Sequence, residues 1–292
     1  MMKCIRCGIT ALMLTPAAQA SDYATVLKEL RPLAEQGDVS AQYRLGGMYD
    51  NGQGVTQDYA EALRWYRMAA EQGNVSAQYR LGGMYNNGQG VTQDYAEALR
   101  WYRMAAEQGS SVARSSLGDM YALGQGVPQD YTEALRWYRM AAEQGNAYAQ
   151  NNLGVMYAIG QGVPQDYAEA VRWYRLAAEK GDDYAQSNLG SMYYNGQGVP
   201  PDYAEALRWY RMAAEQGNAH AQYNLGLMYE IGEGIIQNYT TSHMWLNIAA
   251  ANGHSQASNN RDNLSKRMSA ADISEAQRLA RVCLNSDYQD CD

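Results

Sequence analysis

Six tryptophans stand at positions 65, 101, 137, 173, 209 and 245, each 36 residues after the one before. A fixed period of this size marks a chain built from copies of one supersecondary unit. Each copy is too small to bury its own apolar face and is completed by its neighbours. Counting along the period gives six units, 38–73, 74–109, 110–145, 146–181, 182–217 and 218–253. The first two differ only at Asp38/Asn74 and Asp50/Asn86.

The unit 74–109 reads as two helices around a glycine loop. Gly73 ends the preceding helix and Asn74 caps the next, a role taken elsewhere by Asp38, Ser110, Asn146, Asp182 and Asn218. Ala77, Leu81, Met84 and Tyr85 form an apolar stripe at helical spacing, and Gly82 lets a neighbouring helix approach. Gly88-Gln89-Gly90-Val91 breaks that helix. The second helix starts at Asp94, which with Glu97 makes a D-x-x-E capping box. The pair recurs as Asp58/Glu61, Asp130/Glu133, Asp166/Glu169 and Asp202/Glu205. Pro128, Pro164 and Pro200 precede this cap by two residues and stiffen the entry. Ala98, Trp101, Tyr102, Ala105 and Ala106 make its buried stripe. Pairs such as Glu61–Arg64 and Arg67–Glu71 are expected along its surface. The fold class expected is all-α, a right-handed α/α superhelical solenoid of 36-residue helix-loop-helix repeats.

The ends depart from the pattern, as the ends of a stack must. Residues 21–37 resemble a lone second helix that Pro32 should kink or shorten. Residues 254–292 read as two capping helices followed by Cys283 and Cys291. Residues 1–20 read as a secretory signal, with Lys3 and Arg6 at its start, a short apolar stretch Gly8 to Leu14, and Ala18-Gln19-Ala20 as the cleavage site. Cys4 and Cys7 leave with it. The remaining two cysteines are expected to pair in an oxidising compartment, the alternative being two free thiols.

The pattern Ala-x3-Leu-Gly-x2-Tyr-x2-Gly-x-Gly-Val-x2-Asp-x3-Ala-x2-Trp-x3-Ala-Ala-x2-Gly resembles the Sel-one-like repeat (SLR) family, relatives of the tetratricopeptide repeat. In 74–109 it is carried by Ala77, Leu81, Gly82, Tyr85, Gly88, Gly90, Val91, Asp94, Ala98, Trp101, Ala105, Ala106 and Gly109, and all six units are in register. The resemblance implies an α/α solenoid that binds other proteins. It also implies, for exported bacterial members, roles in envelope assembly, host interaction and virulence. One cysteine-rich branch of the family is described as binding or hydrolysing β-lactams. That branch carries a Cys pair in each repeat, and none of the six units here contains Cys.

Chemistry is sparse. Thirty-one acids against 23 bases give a net charge of −8, or −10 once Lys3 and Arg6 are lost, which disfavours a phosphate-binding surface and hence nucleic acid. The only apolar run is near the N-terminus and is too short to span a bilayer, so no transmembrane span is expected. Gly52-Gln53-Gly54 and its copies lack the third glycine of a nucleotide loop and follow a helix, so they read as hairpin turns. Neither G-x-S-x-G nor S-x-x-K occurs, and His220, His243 and His254 show no metal-ligand spacing. No cofactor and no enzymatic activity are expected.

Comparison of the units is more informative. The second helix is nearly constant, whereas the first varies at four columns. These run Tyr43, Tyr79, Ser115, Asn151, Ser187, Tyr223; then Arg44, Arg80, Ser116, Asn152, Asn188, Asn224; then Gly47, Gly83, Asp119, Val155, Ser191, Leu227; then Asp50, Asn86, Ala122, Ala158, Tyr194, Glu230. Offsets of three and four put them on one helix face. Either this is drift on an exposed surface, or the columns line a groove on the concave first-helix face that binds an envelope or host protein. On the second reading Tyr43, Tyr79 and Tyr223 are aromatic anchors, while Arg44 and Arg80 suit an acidic partner segment. Asp119, Asn151, Asn152, Asn188, Tyr194 and Asn224 complete the candidate set. Arg136 and Arg139, on the second helix, should be silent. The alternatives to a binding scaffold are a β-lactam-binding or hydrolysing protein and a structural envelope-assembly factor.

Overall fold

The computed structural model describes residues 16–291, with side chains from Tyr23 onward. Residues 1–15 of the expected secretory signal lie outside the described residues. The described chain holds fifteen α-helices and no strand. α1 (Pro16–Glu35) leads in. The six units supply α2 (Val39–Asn51) with α3 (Tyr59–Glu71), α4 (Val75–Asn87) with α5 (Tyr95–Glu107), and α6 (Ser111–Leu123) with α7 (Tyr131–Ala142). They continue as α8 (Ala147–Ile159) with α9 (Tyr167–Ala178), α10 (Asp183–Asn195) with α11 (Tyr203–Ala214), and α12 (Ala219–Ile231) with α13 (Tyr239–Ala251). α14 (Ala257–Ser265) and α15 (Ala270–Asn285) close the chain. Two compact units result: the described residues up to Ala113 with Gly124–Pro128, and Arg114–Leu123 with the described residues from Gln129 on.

Within the units, α2, α4, α8, α10 and α12 each pack on the second helix of their own repeat and on the helix before them, α1, α3, α7, α9 and α11. The glycine after the Leu makes the intra-repeat contact possible. A Cβ on Gly82 would lie 2.6 Å from Cδ1 of the Tyr102 ring, and one on Gly154 would lie 2.5 Å from the Tyr174 ring. The six tryptophans are at most 8% exposed. An arginine one residue earlier lies 4.1 to 5.4 Å above the ring in five of them. Trp173 joins the cluster of Ala134 and Tyr138 from the repeat before its own, as Trp209 joins Ala170 and Tyr174 and Trp245 joins Ala206 and Tyr210.

Three hydrogen-bond series set the register between repeats. Arg31, Arg67, Arg139, Arg175 and Arg211 each donate to a tyrosine hydroxyl 18 residues on, in the next first helix. Gln42, Gln78, Gln150, Gln186 and Gln222 are buried and donate to carbonyls of the preceding second helix. Gln72, Gln108, Gln216 and Asn252 donate back to the side chains of that glutamine column, 30 residues earlier. Buried amides need partners, and here they find them across the repeat boundary.

Two local expectations change. Asp94 caps α5 by accepting from the backbone of Ala96 and Glu97, as expected, but the reciprocal half of the capping box is absent. The Asp94 N–H donates to the Tyr85 carbonyl at 3.0 Å, so Glu97 has no cap to close and reaches Arg100 instead. The same backbone bond recurs from Asp58, Asp130, Asp166, Asp202 and Asn238. Arg67 likewise bonds the Tyr85 hydroxyl rather than pairing with Glu71. The Gly-x-Gly loop is a turn whose second glycine abuts the preceding repeat. Gly126 has φ +71°, and a Cβ there would lie 2.6 Å from the Tyr95 carbonyl oxygen.

The ends reuse the same contacts. α1 is not shortened by Pro32: it continues to Glu35, buries Leu30 and Ala34, and bonds Tyr49 through Arg31 as a second helix would. α14 and α15 both pack on α13. Cys283 and Cys291 form a disulfide, and the Tyr288 hydroxyl within that loop bonds Asn252.

Candidate functional site

The four varied columns do lie along the first helices, and they differ in how open they are. In the first unit Arg44 is exposed beside a recess of about 250 Å³ lined by Tyr23, Val26, Leu30 and Met48. Tyr43 and Tyr79 are half-buried, with rings 5.7 Å from those of Tyr66 and Tyr102. Exposed Arg80 sits in the field of Tyr66, of Asp50 and of Tyr43 in the repeat before. Tyr66 donates to Asp50 at 3.3 Å, and burial and the Asp50 charge push its hydroxyl well above the usual phenol range.

In the second unit the first column sinks inward. Ser115, Asn151 and Ser187 are buried. Asn188 donates to Asn151 across the repeat boundary at 3.0 Å. Asn152 bonds the Tyr148 carbonyl one turn back. Asp119 accepts from Tyr138 at 2.5 Å and from Tyr148 at 2.9 Å. Tyr194 donates to Glu233 at 2.5 Å, and that bond, with burial, pushes its hydroxyl up to about 12. Tyr194 and Asn224 share a recess of about 70 Å³ with Tyr210, Leu227 and Met228. Tyr223 is no open anchor: its ring stacks on His254 at 4.1 Å and its hydroxyl accepts from Asn260 of α14. The segment that follows the repeats covers this ring.

Two contributors were invisible in the columns chosen from the sequence. Second-helix tyrosines such as Tyr66, Tyr138 and Tyr210 send their hydroxyls up between the first helices to Asp50, Asp119 and Ser191. A further column, Ser40, Ser76, Val112, Tyr148, Tyr184, His220, varies as much as the others, and Tyr148 and Tyr184 are 50% and 62% exposed. That variation was the available signal. The three histidines do not converge. His220 and His254 meet edge to face at 4.9 Å, whereas buried His243 bonds Ser265 at 3.0 Å. Among the described residues no group of three His, Cys, Asp or Glu is placed to hold a metal ion.

The family model of the Sel1 repeat matches residues 39–74, 75–110, 111–146, 147–182, 183–218 and 219–254, one residue out of phase with the units counted above. The chain belongs to the Sel1 repeat family. A Sel1 repeat protein from Oxalobacter formigenes is 39% identical, over 79% of this chain and 92% of that one, with a TM-score of 0.72. A protective antigen of uropathogenic Escherichia coli displaying an SLR fold is 36% identical, over 91% of this chain and 68% of that one, with a TM-score of 0.63. No curated protein matches. Sel1 repeat solenoids are typically protein-interaction scaffolds and generally not enzymes. Among the described residues no helix is long and apolar enough to cross a membrane.

Proposed function

We propose that this Sel1 repeat protein is an exported, non-enzymatic scaffold that binds a protein of the bacterial envelope or of a host through the varied face of its first helices. The observation that carries this reading is the division of labour within each repeat. The residues that hold repeats together are nearly invariant from unit to unit. The accessible first-helix residues beside them change in size and charge, and several are held by cross-repeat bonds such as Tyr148–Asp119 and Asn188–Asn151. Preorganised tyrosine and arginine are the side chains most used at binding hot spots. The likeness to a protective antigen favours a partner met outside the cytoplasm, and the leader-like residues 1–20 agree with export. Exposed Arg44 and Arg80 suit an acidic segment of that partner.

The test is affinity capture from native envelope and from host extracts, identified by mass spectrometry. Replacing Tyr43, Arg44, Tyr79 and Arg80 together by Ala should abolish capture and leave helical content unchanged. Tyr223 is tested separately as Tyr223→Phe, because Ala would unseat His254. Arg139 does not serve as the silent control, since it bonds Tyr157 of the next repeat at 2.6 Å. Exposed Glu143 and Glu179 at second-helix ends replace it. Capture lost with Glu143→Gln and Glu179→Gln but kept with the first-helix set would sink this reading. Turnover of nitrocefin by the purified protein would do the same.

A further inference from the structure

Position 119 carries the one charge in a column that otherwise reads Gly47, Gly83, Val155, Ser191 and Leu227. Its carboxylate is oriented by two tyrosines from different repeats. Tyr138 comes from the second helix of the same repeat, and Tyr148 from the first turns of α8. Both hydroxyls donate to Oδ1. Oδ2 has no donor among the described residues, and Asp119 is partly rather than fully buried. Among the described residues no Lys or Arg pairs with it, although the other carboxylates on the varied columns have a cation near them: Asp50 lies in the field of Arg80, and Glu230 pairs with Arg267 at 2.9 Å. Tyr148 is half exposed, and its hydroxyl end lies against the carboxylate.

We propose that Asp119, with Tyr138 and Tyr148, is a receptor for one cationic side chain, lysine or arginine, projecting from the bound polypeptide. The proposal rests on the reading of the first-helix face as a protein-binding surface and names the chemistry recognised there. The carboxylate supplies the charge, and the two hydroxyls hold it against rotation. A desolvated carboxylate without a counter-charge is a cost to the folded chain. Burial does push the Asp119 carboxyl above its ordinary value, and the two tyrosine bonds pull the other way without cancelling it. A stability cost held in place by two oriented hydroxyls is what a binding site carries and a drifting surface does not. The arriving cation offsets it, so binding fades as acid protonates Asp119.

The probe needs no identified partner. N-acetyl-arginine-N-methylamide is titrated into the full chain carrying 13C-labelled tyrosine, with the neutral isostere N-acetyl-citrulline-N-methylamide as the comparison. The Tyr138 and Tyr148 ring resonances are assigned from the Phe variants. The arginine compound should shift both rings saturably and bind at least about tenfold more tightly than the citrulline compound. Asp119→Asn should erase that difference while its denaturation midpoint stays the same or rises, since the amide oxygen still accepts from both hydroxyls. Equal binding of arginine and citrulline, or arginine binding undiminished in Asp119→Asn, overturns the proposal. These readouts are independent of partner capture. A first-helix set that fails to affect capture therefore sinks the scaffold reading, whereas the arginine titration alone decides Asp119.

Discussion

Within one repeat, two neighbouring glycines show how differently the two kinds of position are constrained. Gly82 faces the ring of Tyr102, with no room for a single carbon, whereas a Cβ on Gly83 would meet nothing nearer than the Tyr102 hydroxyl at 3.6 Å. The first belongs to the spine, the set of contacts that every repeat must reproduce for its neighbours to stack. The second belongs to the varied columns, where Asp119, Val155, Ser191 and Leu227 replace it in later repeats. A periodic fold fixes the spine because one wrong spine residue spoils two interfaces. It leaves the adjoining face free, and that freedom is what binding can use.

The largest test of this division is Trp137, on the spine and 8% exposed. Trp137→Ala should cost about 3–5 kcal/mol in urea denaturation, because the indole is large and the rigid helices around it cannot close the cavity. Asn152→Ala, one repeat on and in a varied column, should stay within about 0.5 kcal/mol of the parent. Similar costs for the two would dissolve the distinction.

The glycine pair gives a finer version. Gly82→Ala should cost about 1–3 kcal/mol, since the new methyl collides with the base of a buried ring. Gly83→Ala should be neutral or stabilise by up to about 1 kcal/mol through helix propensity. Thermal melts of the two single variants decide it, and a cost at position 83 matching that at 82 would show that the columns are not free.

The elements legible in the sequence were those set by one helix and its immediate neighbour. The tryptophan period, the Ala-Leu-Met-Tyr stripe, the role of Gly82 and the Asp94 cap all follow from spacing on a single helix face. The misread residues are those whose local surroundings include groups from another helix. Glu97 looked like half of a capping box because the sequence cannot show that the Tyr85 carbonyl has already taken the Asp94 N–H. Arg67 was assigned to Glu71, one turn away, while its partner is Tyr85, 18 residues on. Within the candidate site the same holds. Tyr43 and Arg44 are neighbours on α2, but Tyr148 and Tyr138 meet Asp119 from 29 and 19 residues away, and Tyr223 is covered by the segment that follows the repeats. Helical periodicity says which residues share a face and is silent on what faces them.

Acid should separate the closing helices from the repeats before them. Burial holds the His254 imidazole below its ordinary 6.5, and neighbouring His220 adds to this. Burial also lowers His243, helped by Arg261 and opposed by Asp262. Both folded values are depressed, so the unfolded chain takes up protons first. The stability these groups contribute is present above about pH 6.5 and is lost as pH falls through that value towards the folded ones. Hydrogen exchange of α13 to α15, corrected for intrinsic rates, should accelerate between pH 7 and pH 5 more than that of α2 to α5. The effect is smaller than the glycine collision because His254 stays partly solvated. Equal acceleration in both segments would refute it.

The smallest effect tests whether the spine is as uniform as it looks. The column Gln72, Gln108, Gln144, Lys180, Gln216, Asn252 is broken once. Gln72, Gln108, Gln216 and Asn252 each donate to a buried glutamine Oε1 30 residues earlier, at 2.7 to 2.9 Å. Lys180 instead donates to the Gly145 carbonyl at 2.6 Å, and Gln150 Oε1 is left buried without a donor. A buried acceptor without a partner costs more than a made bond returns. Lys180→Gln restores the missing rung and should raise stability by about 1 kcal/mol, the Gly145 carbonyl turning to water in exchange. Lys180→Ala separates the two contributions, because it loses the Gly145 bond without supplying the rung. If Gln and Ala at position 180 melt together, the ladder adds nothing at this joint. The constant column would then record the repeats' common ancestry rather than a contact the stack requires.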